Sequence, residues 1–266
     1  MLSQIQEFLS HTPEKLQVLT DFDGTLTEEL KDGKPAQSII SVLRNTLGYL
    51  DEDYQKKAHE LYEKYHSLEY DTALTLEERK AKMHEWWQSH KKLLIAHGLN
   101  LKDIESVAKS GHIKLRKSAR EFLLKMQEMG VPVVIMSASG LGDAIPLFME
   151  HENLSLRNIH YAINRMVWDT LGSAVDFKQP IIHSLNKDET SLKDFPEIFE
   201  KIAHKTRILL LGNSVGDAKM ADGFANEALL KIAFLDKEDP TFEQKYEKFK
   251  ENFDLIITDG SFTSLL

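Results

Sequence analysis

Two carboxylates stand two residues apart in Asp21-Phe22-Asp23-Gly24-Thr25. Like charges held that close in a turn raise each other's pKa, so a cation is expected between them. Magnesium fits: it prefers hard oxygen ligands, keeps several waters, and is usually held by one or two carboxylates and a substrate phosphate. With the ion in place Asp21 can attack phosphorus while Asp23 moves protons, giving an aspartyl-phosphate that water later hydrolyses. Ser137 and Lys187 are candidates to bind the transferring phosphoryl oxygens, Lys187 also screening Asp21 from the approaching dianion. Asn213, Ser214 and Asp217, in Gly212-Asn213-Ser214-Val215-Gly216-Asp217, complete the set.

Each piece alone admits a plainer reading. An Asp-x-Asp-Gly turn also occurs in ordinary loops and in calcium loops, but a calcium loop needs a glutamate at its twelfth position, and that position here is Asp32. A lone Ser137 reads as a strand-end hydroxyl, a lone Lys187 as a solvated charge, and the Asn213–Asp217 stretch as a turn followed by a helix cap. The order of all four along one chain is what points to phosphate chemistry.

The elements that must position them are legible from periodicity. Leu16 to Thr20 is a short β-prone run ending at the acidic turn. From about Gln37 to Lys109 the chain becomes charged with helical spacing, as in Tyr54 to Leu68 and Leu76 to Ile95. After Ser118 the pattern alternates: a helix over Ala119 to Met129 stopped by Gly130, a buried strand over Val131 to Met136, and the end of a helix at Phe148 to Leu154. Strands then follow at Ile159 to Ile163, Ile208 to Gly212, Leu229 to Leu235 and Phe253 to Thr258. This predicts an α/β fold, a doubly wound, parallel, Rossmann-like sheet with an inserted helical cap: core 1–30 and 118–266, cap 31–117. In such sheets ligands bind outside the carboxyl ends of the strands, where Asp21, Asp23, Ser137 and Asn213 fall.

Composition sets outer bounds. The chain has 266 residues, 42% hydrophobic and 28% charged, with a formal charge of -9 and no cysteine. That excludes disulfides and thiolate chemistry, and argues against a nucleic-acid binder, which needs clustered cations. There is no secretory pattern at the start and no apolar run near the ~20 residues of a membrane span, so a cytoplasmic protein without a membrane partner is expected. A monomer is the favoured oligomeric expectation.

The ordered set Asp21-Phe22-Asp23-Gly24-Thr25-Leu26-Thr27, Ser137, Lys187 and Gly212 to Asp217 resembles the haloacid dehalogenase superfamily of phosphatases. Ser137-Ala138, Gly142-Asp143, Ile182-His183, Asn186-Lys187 and Met220-Ala221-Asp222-Gly223 narrow the resemblance to the cytosolic 5′-nucleotidase III family. In the insert, Tyr65 to Asp71 (including Tyr70), Leu74 to Glu78 and Met83 to Trp87 are similar to that family's cap. The resemblance implies Asp21 as nucleophile and Asp23 as acid/base, with Asp21, the Asp23 main-chain carbonyl and Asn213 on Mg2+. It further implies Ser137, Ala138 and Lys187 on phosphate, Asp217 orienting the metal's waters, and Glu69 reading the base of a nucleotide substrate. A carboxylate there can accept from an exocyclic amine or ring N–H, suiting cytosine or 7-methylguanine. Trp86 and Trp87 could stack on the base or simply pack the cap.

Two departures from the family pattern carry consequences. Asn213 stands where the family has an aspartate, which keeps an oxygen donor but removes a charge, so a higher magnesium requirement is expected. Ser139 is an extra residue in Ser137-Ala138-Ser139-Gly140, which reshapes the loop or lets Ser139 share the role of Ser137. The expected activity is hydrolysis of nucleoside 5′-monophosphates. The alternatives are a phosphatase for another small phosphomonoester and a catalytically weak phosphometabolite-binding protein.

Overall fold

A computed structural model of the chain describes residues 2–31, 33–69, 71–187 and 192–266. Asp32 and Tyr70, named above, lie outside the described residues. In chain order the elements are α1 (Leu2–Ser10), β1 (Leu16–Thr20), β2 (Leu30–Lys31), β3 (Lys34–Pro35), α2 (Ile39–Asn45), α3 (Glu52–His66), α4 (Leu76–Ala96), α5 (Leu101–Ala108), α6 (Ala119–Glu128), β4 (Val133–Ser137), α7 (Ala144–His151), β5 (Ile159–Ile163), β6 (Met166–Trp168), β7 (Ala174–Phe177), α8 (Pro196–Ile202), β8 (Arg207–Gly212), β9 (Ala228–Phe234), α9 (Phe242–Lys250) and β10 (Leu255–Ile257).

Six strands pair in the order β10-β9-β8-β1-β4-β5, and every pairing is parallel. Strands β1 and β4 are buried throughout, because apolar clusters cover both faces. The period of two separates them: Val18, Val133, Ile135, Leu209 and Leu211 point to one cluster, and Leu19, Val134, Met136, Ile208 and Leu210 to the other. From β1 the chain runs outward through β4 to β5, then returns to the other side of β1 through β8 to β10. The order therefore reverses at β1, and the crevice at its carboxyl end is where a doubly wound sheet binds ligands.

Local signals set the helices between β1 and α6. The side chain of Asp51 caps α3 by accepting from the Tyr54 N–H at 2.7 Å, and Thr75 with Glu78 forms a capping box on α4. Asn100 with Asp103 forms a second box on α5. Ile39, Val42, Leu43, Leu94, Ile104 and Val107 from these helices join the same apolar cluster as one face of the sheet, so burial seats them on the core.

Several bounds differ from the sequence reading by a residue or more, and two of them, with one unforeseen hairpin, bear on the site. Strand β4 runs from Val133 to Ser137 rather than Val131 to Met136, since the Val131 N–H closes the end of α6 on Met126 O at 2.9 Å and Pro132 has no N–H to pair. Ser137 thus ends the strand rather than following it. Helix α7 ends at His151, three residues earlier than periodicity suggested, and Asn153 then takes a left-handed conformation with φ 55°. The antiparallel hairpin β6–β7 was not anticipated. It is stitched to the insert, where Leu101 donates to Gly172 O at 2.9 Å and Ala174 to Leu99 O at 2.8 Å. Among the described residues no helix is long and apolar enough to cross a membrane.

Candidate active site

The acidic turn extends the sheet by one bond before it folds back. Asp21 donates to Leu211 O at 3.0 Å, continuing the ladder with β8, and then Thr25, Leu26 and Thr27 all donate to Phe22 O. The chain reverses through Gly24 at φ +79°, and a Cβ there would sit 2.2 Å from Asn213 Nδ2. Glycine is therefore required both by the turn and by the close approach of Asn213.

Asp21, Lys187, Asp217 and Asn213 come together around the end of β1. The Lys187 ammonium bonds Asp21 Oδ1 and, at 3.0 Å, Asp217 Oδ1, and all three groups are buried. Asp217 Oδ2 accepts from the Asn213 N–H at 3.1 Å, the Ser214 N–H at 3.0 Å and the Ser214 hydroxyl at 2.7 Å. Asp217 thus organises the loop after β8 and also holds Lys187. The Thr25 hydroxyl lies 3.4 Å from Asp21 Oδ2 and 3.3 Å from Asn213 Oδ1, which brings those two oxygens to one side of the turn. Asp23 Oδ1 accepts from the Ile39 N–H at 2.9 Å.

Burial shapes the titration of these groups. It pushes Asp21 up against the opposing pull of Lys187, and the Asp217 and Asp23 charges add to the rise. Burial also raises Asp23 to about 6, opposed by the Ile39 N–H and Lys187. Burial alone would lower Lys187, but Asp21 and Asp217 outweigh it and hold the ammonium protonated.

Magnesium suits this donor set. Among the described residues Asp21, Asp23 and Asp217 face one ammonium, Lys187, so an added cation relieves the excess of negative charge. No cluster of three His, Cys, Asp or Glu side chains with metal-binding spacing occurs among the described residues. The available donors, a carboxylate, a main-chain carbonyl and an amide oxygen, are the hard oxygens of an ion that keeps its waters.

The family model of pyrimidine 5′-nucleotidase (UMPH-1) matches residues 24–264. The chain belongs to this family. It is similar to the 7-methylguanosine phosphate-specific 5′-nucleotidase of Drosophila melanogaster, 30% identical over 257 residues, covering 96% of this chain and 79% of the relative. The Gallus gallus protein of the same name is 32% identical over 244 residues, covering 91% and 82%. Among solved structures, cytosolic 5′-nucleotidase IIIB bound to cytidine superposes with a TM-score of 0.83 at 29% identity, over 96% of this chain and 85% of that one. A substrate-bound phosphoserine phosphatase, TM-score 0.51 at 17% identity over 93% and 94%, shares the fold alone. The chain is a phosphoric monoester hydrolase of the 5′-nucleotidase type with a haloacid dehalogenase fold.

In this 5′-nucleotidase the serine loop follows β4. Ser137 Oγ accepts from the Ser139 N–H at 3.1 Å, and Ser139 Oγ accepts from the Leu141 N–H at 3.3 Å. The extra residue therefore shapes the turn into α7. Glu69 ends a short 3-10 turn, Ser67–Glu69, between α3 and α4, and its carbonyl accepts from Arg79 at 3.1 Å. Among the described residues no contact joins Glu69 to the group around Asp21. Trp86 and Trp87 are engaged by protein: the rings of Tyr65, Trp86, Trp87 and His90 succeed one another at 6.1, 5.5 and 5.7 Å within 14° of parallel. Trp87 also lies against Gly140, where a Cβ would come within 2.9 Å of its ring.

Two buried residues escaped the sequence reading. Arg116 donates to Gly24 O through Nε at 3.2 Å and a terminal nitrogen at 2.7 Å, while its other end bonds Asp236 at 2.6 Å. No local pattern marks it. Asn164 directly follows β5, and the strand-end rule that collected Asn213 would have collected it too.

Proposed function

We propose that the chain hydrolyses nucleoside 5′-monophosphates to nucleoside and phosphate, with Mg2+, through an aspartyl-phosphate on Asp21. The observation that carries this is the buried Asp21–Lys187–Asp217 group at the carboxyl end of β1, a carboxylate desolvated and aimed by an ammonium. Family membership supplies the nucleotide.

Asp21 attacks phosphorus, and the 5′ oxygen leaves as an alcohol with a proton from Asp23, whose raised pKa of about 6 suits an acid that gives and regains a proton near neutrality. Water then attacks the aspartyl-phosphate, Asp23 takes its proton, and inorganic phosphate leaves as Asp21 is restored. Lys187 holds Asp21 in line and, with Ser137 and the Ala138 main chain, binds the phosphoryl oxygens. Asp21, the Asp23 carbonyl and Asn213 would hold the magnesium ion, which when bound supplies charge neutralisation for the approaching dianion. Asp217 keeps the Asn213 loop in place.

The helices of 31–117 act as a cap over the substrate, excluding water and choosing the base. Glu69 on that cap accepts from an exocyclic amine or ring N–H, which favours cytosine and 7-methylguanine. The names of the relatives, which mention 7-methylguanosine phosphate, and of the solved structure, bound to cytidine, support the same bases and a cytosolic setting. A phosphate-release panel with magnesium tests the reading: cytidine, uridine, adenosine, guanosine and 7-methylguanosine monophosphates, sugar phosphates and phosphoserine, with Asp21→Asn as blank. Preference for nucleotides is expected. Equal turnover of sugar phosphates would replace the reading with that of a general phosphomonoesterase.

A further inference from the structure

The serine loop after β4 and the loop that carries Lys187 are far apart in sequence and must present one surface to one phosphate. One buried side chain bonds to both. Asn164 is 1% exposed, and its Nδ2 donates to Ala138 O at 3.3 Å, Ser139 O at 3.1 Å and Ile182 O at 2.8 Å. Its Oδ1 accepts from the Ile182 N–H at 2.8 Å. The carboxamide thus spends its donors on both loops and its acceptor on one of them, which no other side-chain type of that size can do.

The consequence for the anion follows from peptide geometry. In a trans peptide the C=O and the next N–H point in opposite directions. Turning the carbonyls of Ala138 and Ser139 toward Asn164 therefore aims the N–H groups of Ser139 and Gly140 away from it. The Ser139 N–H meets Ser137 Oγ, as described, and so orients that hydroxyl. On the other side, with Ile182 pinned at both its N–H and its C=O, the next turn is closed by the His183 N–H donating to Asn186 Oδ1 at 2.7 Å and by Asn186 Nδ2 donating to Ile181 O at 2.9 Å. Lys187 follows at once. The main chain of Asn164 is itself wedged, for a Cβ on Gly142 would lie 2.3 Å from Asn164 O.

We propose that Asn164 is a positioning residue that locks the Ser137 loop to the Lys187 loop, setting the spacing of the phosphate-binding groups without touching substrate. This rests on the phosphatase reading above, and it separates phosphate recognition from base recognition: Asn164 governs the first only.

The test compares wild type with Asn164→Ala and Asn164→Asp, using the full chain with magnesium. Asn164→Asp preserves shape but turns an anion toward three carbonyls; Asn164→Ser, which keeps one donor, replaces it should it not fold. Inhibition constants are measured for inorganic phosphate and for the nucleoside product, together with kcat, KM and the melting temperature. The expected result is phosphate affinity weakened by about tenfold or more, the size of one or two lost hydrogen bonds, with nucleoside affinity within about twofold of wild type. Asn164→Asp should be no better than Asn164→Ala. Unchanged phosphate affinity with only a lower melting temperature would reduce Asn164 to a structural residue, and an equal loss for phosphate and nucleoside would overturn the separation. Calorimetric binding of inorganic phosphate to the same proteins reads the inference even if wild type turns over no nucleotide, an outcome that would remove the proposed function and leave this one standing on its own measurement.

Discussion

The Ile39 N–H, at the first turn of α2, donates to Asp23 Oδ1 at 2.9 Å, so the carboxylate proposed to handle protons also anchors the start of the helical insert. Ser38, the residue placed to cap α2, makes no side-chain cap bond; Asp23 does that work from the core. Two substitutions separate the roles. Asp23→Asn keeps an acceptor for Ile39 but cannot shuttle a proton, so kcat should fall by roughly 10²–10⁴ with KM little changed. Asp23→Ala should add a loss of stability of about 1 kcal/mol, the usual effect of removing a helix cap. Steady-state kinetics beside thermal melts distinguish them, and equal melting temperatures for the two variants would argue against the anchoring role.

Among the described residues Lys187 is the sole ammonium bonded to both Asp21 and Asp217. Lys187→Met should abolish turnover and destabilise the metal-free protein by roughly 3–5 kcal/mol near neutral pH, because two buried carboxylates lose their counter-ion. The sign with pH is definite. Without the ammonium's lowering pull, the buried Asp21 carboxyl binds its proton more tightly folded than unfolded, so the deficit should shrink as pH falls toward 5. Adding Asp217→Asn should recover part of it. Denaturant melts at several pH values would show this, and a deficit independent of pH would contradict it.

Asn213 brings a neutral amide oxygen beside Asp21, and its side chain presses against Gly24. Asn213→Asp should lower the magnesium concentration giving half-maximal rate by about tenfold, the difference one added charge at a hard-cation site can supply. Titration of activity with magnesium, and direct calorimetric titration of the ion, provide the check. An unchanged requirement in both would end the idea that this residue limits metal affinity.

His90 is buried in the insert, accepts from or donates to the Tyr54 hydroxyl at 3.1 Å, and lies against Trp87. Burial, reinforced by the Arg44 charge, lowers its pKa to about 3. The unfolded chain therefore binds a proton that the folded one refuses. This histidine's contribution to stability is complete above pH 6.5 and is lost as pH falls toward 3, at up to about 1.4 kcal/mol per pH unit. Asp21 and Asp23, with raised values, act in the opposite sense below about pH 7 and about pH 6. The comparison that isolates His90 is wild type minus His90→Gln, whose stability difference should narrow or reverse on acidification. Parallel curves would disprove it.

Arg116 holds Gly24 O from behind the acidic turn while its other end meets Asp236. Arg116→Lys keeps the charge and loses the fork that spans both partners. We expect kcat to drop about tenfold or more, since a shift of the turn moves Asp21 relative to the phosphate, with nucleoside inhibition unaffected. A normal kcat would show that the turn is held sufficiently by its own bonds to Phe22.

What the sequence determined by itself was the set of strands and what stands at their ends. Short β-prone or continuous apolar runs mark β1, β4 and β8, chain order makes them parallel, and the reversal at β1 brings Asp21, Ser137 and Asn213 to one crevice, so each could be named from local pattern and strand-end position. What tertiary structure decided were the ties between distant segments: Asp23 to Ile39, Arg116 to Gly24, Asn164 to two loops at once, and the ring stack that occupies Trp86 and Trp87. The reason is physical. A strand or a capped helix is specified by neighbours within a few residues, whereas a buried polar side chain takes whichever partners packing brings to it and must satisfy them all. Its role is settled only when the whole chain has closed around it.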